Sequence, residues 1–187
     1  MFVPIALKKQ VPMLLTWLRI ALIPAFVFAY WWEGDSVRWW AAGFFTIAAI
    51  TDLLDGWLAR RWQAQSALGA FLDPVADKLM VASALLLLVQ SLDSWLITIA
   101  AMIIIMREIS ISALREWMAE LQARSTVSVS WLGKLKTFGQ IIAIGMLTWN
   151  FSWSVALGEW LLYLAAVLTV WSMVHYIRAA WPWLVKG

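Results

Sequence analysis

The chain has 187 residues, of which 64% are hydrophobic, 13% are charged and 16 are tryptophan. Soluble domains carry about 25% charged residues, so this composition indicates a membrane protein. There is no cysteine, which excludes disulfides, thiolate nucleophiles and sulfur-ligated metals. The net charge of +3 is modest, and we expect no nucleic-acid partner.

Six apolar stretches are long enough to cross a bilayer as α-helices, since a span needs about 20 residues. They cover about 13–33, 37–59, 70–91, 94–117, 132–150 and 157–178. Only short loops and one polar segment near 118–131 remain. The sequence therefore predicts an all-α, polytopic membrane protein with six transmembrane helices and a single domain over 1–187.

The N-terminal residues 1–12 place apolar side chains before Lys8 and Lys9. This pattern predicts a short segment that lies on the anionic inner surface of the membrane.

The basic residues predict the orientation of the six spans. An even number of spans puts both termini on one side, and that side carries thirteen of the fourteen lysines and arginines, with only Arg38 on the other. Because cytoplasmic loops are enriched in Lys and Arg, both termini are predicted to be cytoplasmic.

The stretch "TDLLDGWLAR" carries two aspartates at the cytoplasmic end of the second span. Its chemically distinctive residues are Asp52, Asp55, Gly56, Ala59 and Arg60. They fall at i, i+3, i+4, i+7 and i+8, which is one face of an α-helix. A charged side chain within a bilayer costs roughly 2.5–3.5 kcal/mol on insertion scales, so this face predicts a functional site.

The stretch "GAFLDPVADK" repeats the arrangement at the start of the third span. Asp73 and Asp77 are spaced i and i+4, and Gly69 lies one turn before Asp73. Because consecutive spans run antiparallel, the aspartates of both helices should come to a similar depth. Clustered carboxylates repel one another, and Mg²⁺ prefers such oxygen ligands and joins them to substrate phosphates. Two such ions about 4 Å apart would form a clamp for displacement at phosphorus.

The order Asp52-x-x-Asp55-Gly56-x-x-Ala59-Arg60, then Gly69-x-x-x-Asp73-x-x-x-Asp77, resembles the signature of the CDP-alcohol phosphotransferases. The stretches "VPMLLTWLR", "REISISALREWMAE" and "SWLGKLKT" extend the likeness over most of the chain. One position departs from the pattern, because Met13 follows the proline where many relatives carry Asn. The resemblance implies a six-helix membrane protein, typically a homodimer. Such a protein transfers a phosphatidyl group from CDP-diacylglycerol to an alcohol and releases CMP.

The resemblance also implies a role for each residue of the pattern. The four aspartates, Asp52, Asp55, Asp73 and Asp77, would hold two Mg²⁺ ions, for which Mn²⁺ could substitute. Asp77 would also be the general base that takes the proton of the acceptor hydroxyl. The residues expected to bind CDP-diacylglycerol are Thr16, Arg19, Asp52, Gly56, Ala59, Arg60 and Gly69.

A second set of basic residues predicts a pocket for an anionic acceptor. Arg107 and Arg115 are eight residues apart on the fourth span and so share a face, and Glu108 is an expected internal ion-pair partner. Lys134 and Lys136 begin the fifth span about 200° apart, so one of them is expected to face the site. Arginine forks suit a phosphate group. Charge alone fits glycerol phosphate and inositol phosphate equally, and relatives also use serine. The choice of sn-glycerol 3-phosphate follows from the resemblance to the glycerophosphate enzymes.

The acyl tails of such a donor explain why the protein is embedded in lipid. The tails lie in the inner leaflet and the head group lies in water. We therefore expect a polar cavity that opens to the cytoplasm, with the active site at the cytoplasmic leaflet of the bacterial inner membrane. A divalent-cation or phosphate transporter is the competing hypothesis. A channel should carry polar residues through the full depth of the membrane, whereas the acids here stop near the inner boundary, which favours an enzyme.

Overall fold

The computed structural model describes residues 5–32, 35–62, 67–120 and 131–184. Within these ranges the backbone is helical and contains no strand, which confirms the predicted all-α class. The six helices are α1 Ile5–Trp31, α2 Asp35–Trp62, α3 Ala67–Leu92, α4 Trp95–Glu120, α5 Trp131–Trp149 and α6 Ser152–Leu184. Five of them, all except α5, are long and apolar enough to cross a membrane.

Helix α5 differs from the others because it is short and polar at its start. It has 19 residues, which rise about 28 Å, close to the roughly 30 Å of a bilayer core. Two lysines and Gln140 fall within it and lower its hydropathy. A sixth crossing, by α5, therefore stays a prediction.

Two helices end at residues in the left-handed conformation. Asp93 follows α3 with a φ of 42°, and Asn150 follows α5 with a φ of 56°. Asp and Asn tolerate this conformation better than other side chains, and it commonly terminates helices. Each end is followed by a connection of only two residues before the next helix.

The helix that begins at Ile5 includes most of the predicted N-terminal segment 1–12. Residues 1–4 lie outside the described residues, and the surface location of the segment stays a prediction.

The chain divides into two compact units. The first comprises Met1–Leu87 and Thr148–Phe151, and the second comprises Leu88–Leu147 and Ser152–Gly187. The predicted single membrane domain over 1–187 stays a prediction.

In the first unit, α1 packs along α2. Phe26 of α1 lies against Phe45 of α2, with ring centroids 6.0 Å apart. Small buried residues flank this contact on α2, including Ala41 and Ala48, and small residues let membrane helices approach closely. Ala48 and Asp55 are both buried and lie seven residues apart on α2. The face of α2 that packs against α1 therefore also carries Asp55.

In the second unit, α4 packs along α6. A buried cluster of Ile111, Met118, Tyr176 and Ala180 forms part of its core. Helices α5 and α6 also approach closely, since a Cβ added at Gly158 would lie 2.9 Å from Cγ of Leu147.

Candidate functional site

Arg19 of α1 lies among the carboxylates of the first unit. Its Nη1 is 3.0 Å from Oδ1 of Asp52 and 3.7 Å from Oδ1 of Asp77, and its Nη2 donates to Oδ2 of Asp55. The guanidinium side chain is only 1% exposed. One buried cation thus contacts aspartates from both acidic stretches.

The fourth aspartate is bound to the same helix. Thr16, three residues before Arg19 on α1, donates its hydroxyl to Oδ1 of Asp73 at 2.5 Å. The hydroxyl and the guanidinium together bring all four predicted aspartates to the same face of α1. We call Asp52, Asp55, Asp73 and Asp77 the carboxylate cluster.

The register of α1 and α2 explains how Arg19 reaches this cluster. Consecutive spans run antiparallel, and Phe26 contacts Phe45. Seven residues towards the start of α1 from Phe26 is Arg19, and seven residues along α2 from Phe45 is Asp52. Equal steps along antiparallel helices reach the same level, and seven residues are nearly two whole turns. The aromatic contact therefore positions the ion pair.

The members of the carboxylate cluster differ in accessibility. The side chain of Asp55 is 4% exposed, that of Asp52 is 32% exposed and that of Asp77 is 50% exposed. Asp55 is thus an internal partner of Arg19. Asp77 is the aspartate among these three that a reactant can approach most readily.

The carboxylate cluster fits Mg²⁺ in its donor chemistry, because all four side chains are oxygen ligands. No group of three or more His, Asp or Glu side chains in the described ranges is arranged as a metal site. Arg19 supplies the compensating positive charge instead. Nη2 of Arg19 donates a hydrogen bond to Asp55, whereas Nη1 and Nε have no hydrogen-bond partner among the described residues. Nη1 therefore contacts Asp52 and Asp77 by charge. The two metal ions stay a prediction.

The remaining predicted donor-binding residues lie on α2 and α3. Gly56 follows Asp55 in α2, and the buried Gly69 lies one turn before Asp73 in α3. Ala59 and Arg60 belong to α2, but their side chains lie outside the described residues. The donor-binding role of each of these residues stays a prediction.

The second unit contains a partly buried ionic cluster centred on Glu108. Its Oε1 accepts hydrogen bonds from Nη1 of Arg107 at 2.8 Å and from Nζ of Lys136 at 3.0 Å. Arg107 and Lys136 are both buried. Glu108 is therefore the internal ion-pair partner that the sequence predicts. Of the two candidate lysines, Lys136 faces α4, whereas the side chain of Lys134 lies outside the described residues.

Arg115 completes this group on the next turns of α4. Its Nη2 is 3.5 Å from the hydroxyl of Tyr176, and its guanidinium carbon lies 5.5 Å from the centroid of that ring. Arg107 also lies over Tyr176, at 5.7 Å. We call Arg107, Arg115 and Lys136 the cationic cluster. Among the described residues a single carboxylate, Glu108, contacts two of its three cations, which leaves an excess of positive charge there.

Both arginines retain a donor with no partner. Nε of Arg107 and Nε of Arg115 are buried and make no hydrogen bond to the described residues. An unsatisfied buried donor is costly, about 1–3 kcal/mol. The cationic cluster is therefore chemically suited to bind an anion.

Two contacts in these clusters depend on packing between helices and have no signal in the spacing of the sequence. The contacts of Arg19 with the aspartates follow from the packing of α1 on α2, and its predicted place on the nucleotide side stays a prediction. Tyr176 was not singled out, because no spacing within the sequence relates it to Arg107 or Arg115 on another helix.

Comparison with known proteins identifies relatives over most of the chain. The CDP-alcohol phosphatidyltransferase family matches residues 9–171. A Haemophilus influenzae protein named CDP-diacylglycerol–glycerol-3-phosphate 3-phosphatidyltransferase is 49% identical over 175 residues, which are 93% of this chain and 95% of that protein. An Escherichia coli K12 protein with the same name is 50% identical over 175 residues, covering 93% of this chain and 96% of its own.

Proposed function

The chain belongs to the CDP-alcohol phosphatidyltransferase family, and from this we propose that it transfers the phosphatidyl group of CDP-diacylglycerol to sn-glycerol 3-phosphate. The products are phosphatidylglycerophosphate and CMP. The observation that carries this function is the match to both named relatives, which covers nearly the full length of each. Enzymes of this name act on CDP-diacylglycerol and glycerol 3-phosphate, and these are the substrates that we propose.

The carboxylate cluster is the proposed site for the donor. Asp52, Asp55, Asp73 and Asp77 would hold two Mg²⁺ ions, or Mn²⁺ in their place. When bound, the ions would neutralise the pyrophosphate of the donor and stabilise the charge that develops on the departing CMP.

Asp77 is the proposed general base. Its side chain is half exposed, so an acceptor hydroxyl can approach it, and general bases act within hydrogen-bond reach of the proton that they remove. The acceptor oxygen forms a bond to the phosphorus that carries the diacylglycerol, and its proton passes to Asp77. The phosphoanhydride bond to CMP breaks, and CMP leaves with the bridging oxygen and the electron pair.

The donor nucleotide is proposed to contact the middle of α1, the last turns of α2 and the start of α3. Thr16 and Arg19 form the α1 side of the carboxylate cluster. The side-chain-free positions Gly56 and Gly69, with the small Ala59, leave room for the cytidine part. Arg60 would neutralise phosphate charge.

The cationic cluster is the proposed site for the phosphate of the acceptor. Arg107, Arg115 and Lys136 supply positive charge, and Nε of each arginine makes no hydrogen bond to any residue that the structure describes. Lys134 is a further candidate. This arrangement favours a phosphorylated acceptor over serine, because a phosphate brings more negative charge to the three cations than the carboxylate of serine, whose ammonium group they repel. Inositol phosphate is the alternative acceptor that charge alone permits.

We place the enzyme in the bacterial cytoplasmic membrane with both termini and the active site on the cytoplasmic side. The distribution of basic residues supports this orientation, and the five apolar helices support the membrane location. Membrane lipids would surround it, and a homodimer is the assembly implied by the family resemblance. A transporter for divalent cations or phosphate is the less favoured function.

Replacing Arg115 by Gln tests the acceptor site. We expect the KM for glycerol 3-phosphate to rise about 10- to 100-fold, because a hydrogen bond to a charged group is worth about 1.5–3 kcal/mol. The KM for CDP-diacylglycerol should change less than about twofold. Steady-state kinetics of CMP release in detergent–lipid micelles measure both constants.

The matched control is Arg178→Gln, because Arg178 is an exposed arginine of α6 in the same unit. It should leave both constants unchanged. Equal changes in the two KM values of Arg115→Gln would contradict the assignment of Arg115 to the acceptor.

A further inference from the structure

Tyr176 of α6 contacts both arginines of the cationic cluster. The guanidinium carbons of Arg107 and Arg115 lie 5.7 and 5.5 Å from the centroid of its ring. The ring is buried within the α4–α6 core. A single aromatic side chain therefore contacts two cations on a neighbouring helix.

The two arginine side chains reach the same ring from backbone positions that are far apart on α4. Arg107 and Arg115 are eight residues apart on α4, which is a rise of about 12 Å. Two guanidinium groups at one ring repel each other, and the negative face of an aromatic ring offsets that repulsion. The Tyr176 ring is thus a shared contact that limits how far either guanidinium can move.

The other contacts of Arg107 leave a defined edge of the guanidinium open. Nη1 is held by Glu108 at 2.8 Å, and Nη2 donates to Oγ of Ser172 at 3.4 Å. The buried Nε of Arg107 makes no hydrogen bond to the described residues. In Arg115 the contact to the Tyr176 hydroxyl involves Nη2, and Nε again makes no hydrogen bond within the described part of the chain. Both side chains are therefore oriented by other groups, and each keeps a donor for a ligand.

We propose that Tyr176 is a positioning residue for the acceptor phosphate. Its ring holds the guanidinium groups of Arg107 and Arg115 in place, so that their unpartnered donors bind the phosphate of the acceptor. This inference rests on the proposed function, and it assigns the acceptor specificity of the cationic cluster in part to a residue that does not touch the reacting atoms.

The test changes the electronic character of the ring but not its shape. One variant carries Tyr176→Phe, and a second carries 3,4,5-trifluorophenylalanine at position 176. Phenylalanine keeps the negative ring face and loses the 3.5 Å hydroxyl contact to Arg115. Fluorination withdraws electron density from the face while the ring still fills the core. The same two replacements at Tyr163, a partly buried tyrosine of α6 that contacts Trp160, are the matched controls.

We expect Tyr176→Phe to change the KM for glycerol 3-phosphate by less than about threefold. The fluorinated ring should raise it about tenfold, since a desolvated cation–π contact is among the stronger ones. The fluorinated variant should have the same KM for CDP-diacylglycerol and the same Tm as Tyr176→Phe. If the fluorinated variant and Tyr176→Phe have the same KM for glycerol 3-phosphate, or if both KM values rise together, the proposal is wrong.

A binding measurement separates this proposal from the proposed function. Inorganic phosphate is titrated in the presence of EDTA, and the phosphate concentration at the midpoint of the rise in Tm is compared between variants. The fluorinated ring at 176 should move this midpoint about tenfold relative to Tyr176→Phe, and the same ring at 163 should not. Loss of glycerol 3-phosphate-dependent transfer in the unmodified protein, with the midpoint shift intact, would overturn the function alone. An unshifted midpoint would overturn the role of Tyr176 alone.

Discussion

Replacing Asp73 by Asn should reduce CMP release by about a thousandfold or more. Asn has the same shape as Asp, and its carbonyl oxygen can still accept the hydrogen bond from Thr16 that Asp73 accepts at 2.5 Å. The substitution therefore removes the negative charge with little change in packing. A neutral amide is a poor ligand for Mg²⁺, and a catalytic metal contributes several kcal/mol to the barrier, where each 1.36 kcal/mol is a factor of ten in rate.

The control for this prediction is Asp93→Asn, which makes the same chemical change in the exposed connection after α3. Asp93 has a φ of 42°, a conformation that Asn tolerates well, so the control should fold and turn over normally. Initial rates of CMP release at saturating substrates and Mg²⁺ give the comparison. A folded Asp73→Asn protein that keeps more than a tenth of the activity would exclude Asp73 as a metal ligand.

Replacing Arg19 by Gln should lower the Tm of the protein in EDTA by about 10 °C. Arg19 is the buried cation that three carboxylates contact, and removing one partner of a buried ionic network costs about 3–5 kcal/mol. For a chain of this size, 1 kcal/mol corresponds to about 2–4 °C. Because Mg²⁺ can also supply positive charge to the aspartates, saturating Mg²⁺ should raise the Tm of Arg19→Gln more than that of the unmodified protein.

Arg61→Gln serves as the matched control, because Arg61 is exposed and lies over Trp57 on α2 of the same unit. Its Tm should stay within about 2 °C of the unmodified protein, since exposed charges contribute little to stability. Thermal unfolding in EDTA and in a Mg²⁺ series measures all three proteins. If Mg²⁺ shifts the Tm of Arg19→Gln and of the unmodified protein equally, the ions and the guanidinium do not compensate the same carboxylates.

The grouping of the four aspartates could be predicted from the sequence, because local spacing sets each pair and the antiparallel direction of consecutive spans brings the two pairs to one depth. Asp52 and Asp55 are spaced i and i+3, and Asp73 and Asp77 are spaced i and i+4, so each pair must share a helix face. The part played by Arg19 could not be predicted in this way. It depends on how α1 packs along α2, which the contact of Phe26 with Phe45 sets.

In the cationic cluster, too, the contacts set by spacing on one helix could be predicted, and those set by packing between helices could not. The eight-residue spacing of Arg107 and Arg115 predicts a shared face, and both contact Tyr176. The spacing of Lys134 and Lys136 left open which lysine faces the site, because two residues on a helix point in very different directions. The pairing of Lys136 with Glu108 requires the packing of α5 on α4.

Helix boundaries were predicted less well than helix positions. The first span was expected over about 13–33, whereas α1 runs from Ile5 to Trp31, and the last was expected over about 157–178, whereas α6 is Ser152–Leu184. Hydropathy detects the part of a helix that crosses the lipid. In α1 the helix continues into residues before Met13 that lie outside the apolar span, whereas in α6 the apolar span itself extends over Ser152–Pro182.

The most direct test of the central claim supplies the purified protein with CDP-diacylglycerol and Mg²⁺ and compares glycerol 3-phosphate, inositol phosphate and serine as acceptors. CMP and the lipid product are quantified together, and the protein is also assayed in sealed vesicles for the flux of Mg²⁺ and phosphate. We predict that CMP release depends on glycerol 3-phosphate and matches phosphatidylglycerophosphate one for one. Transfer to inositol phosphate or serine at a comparable rate, or ion flux without CMP release, would contradict this account.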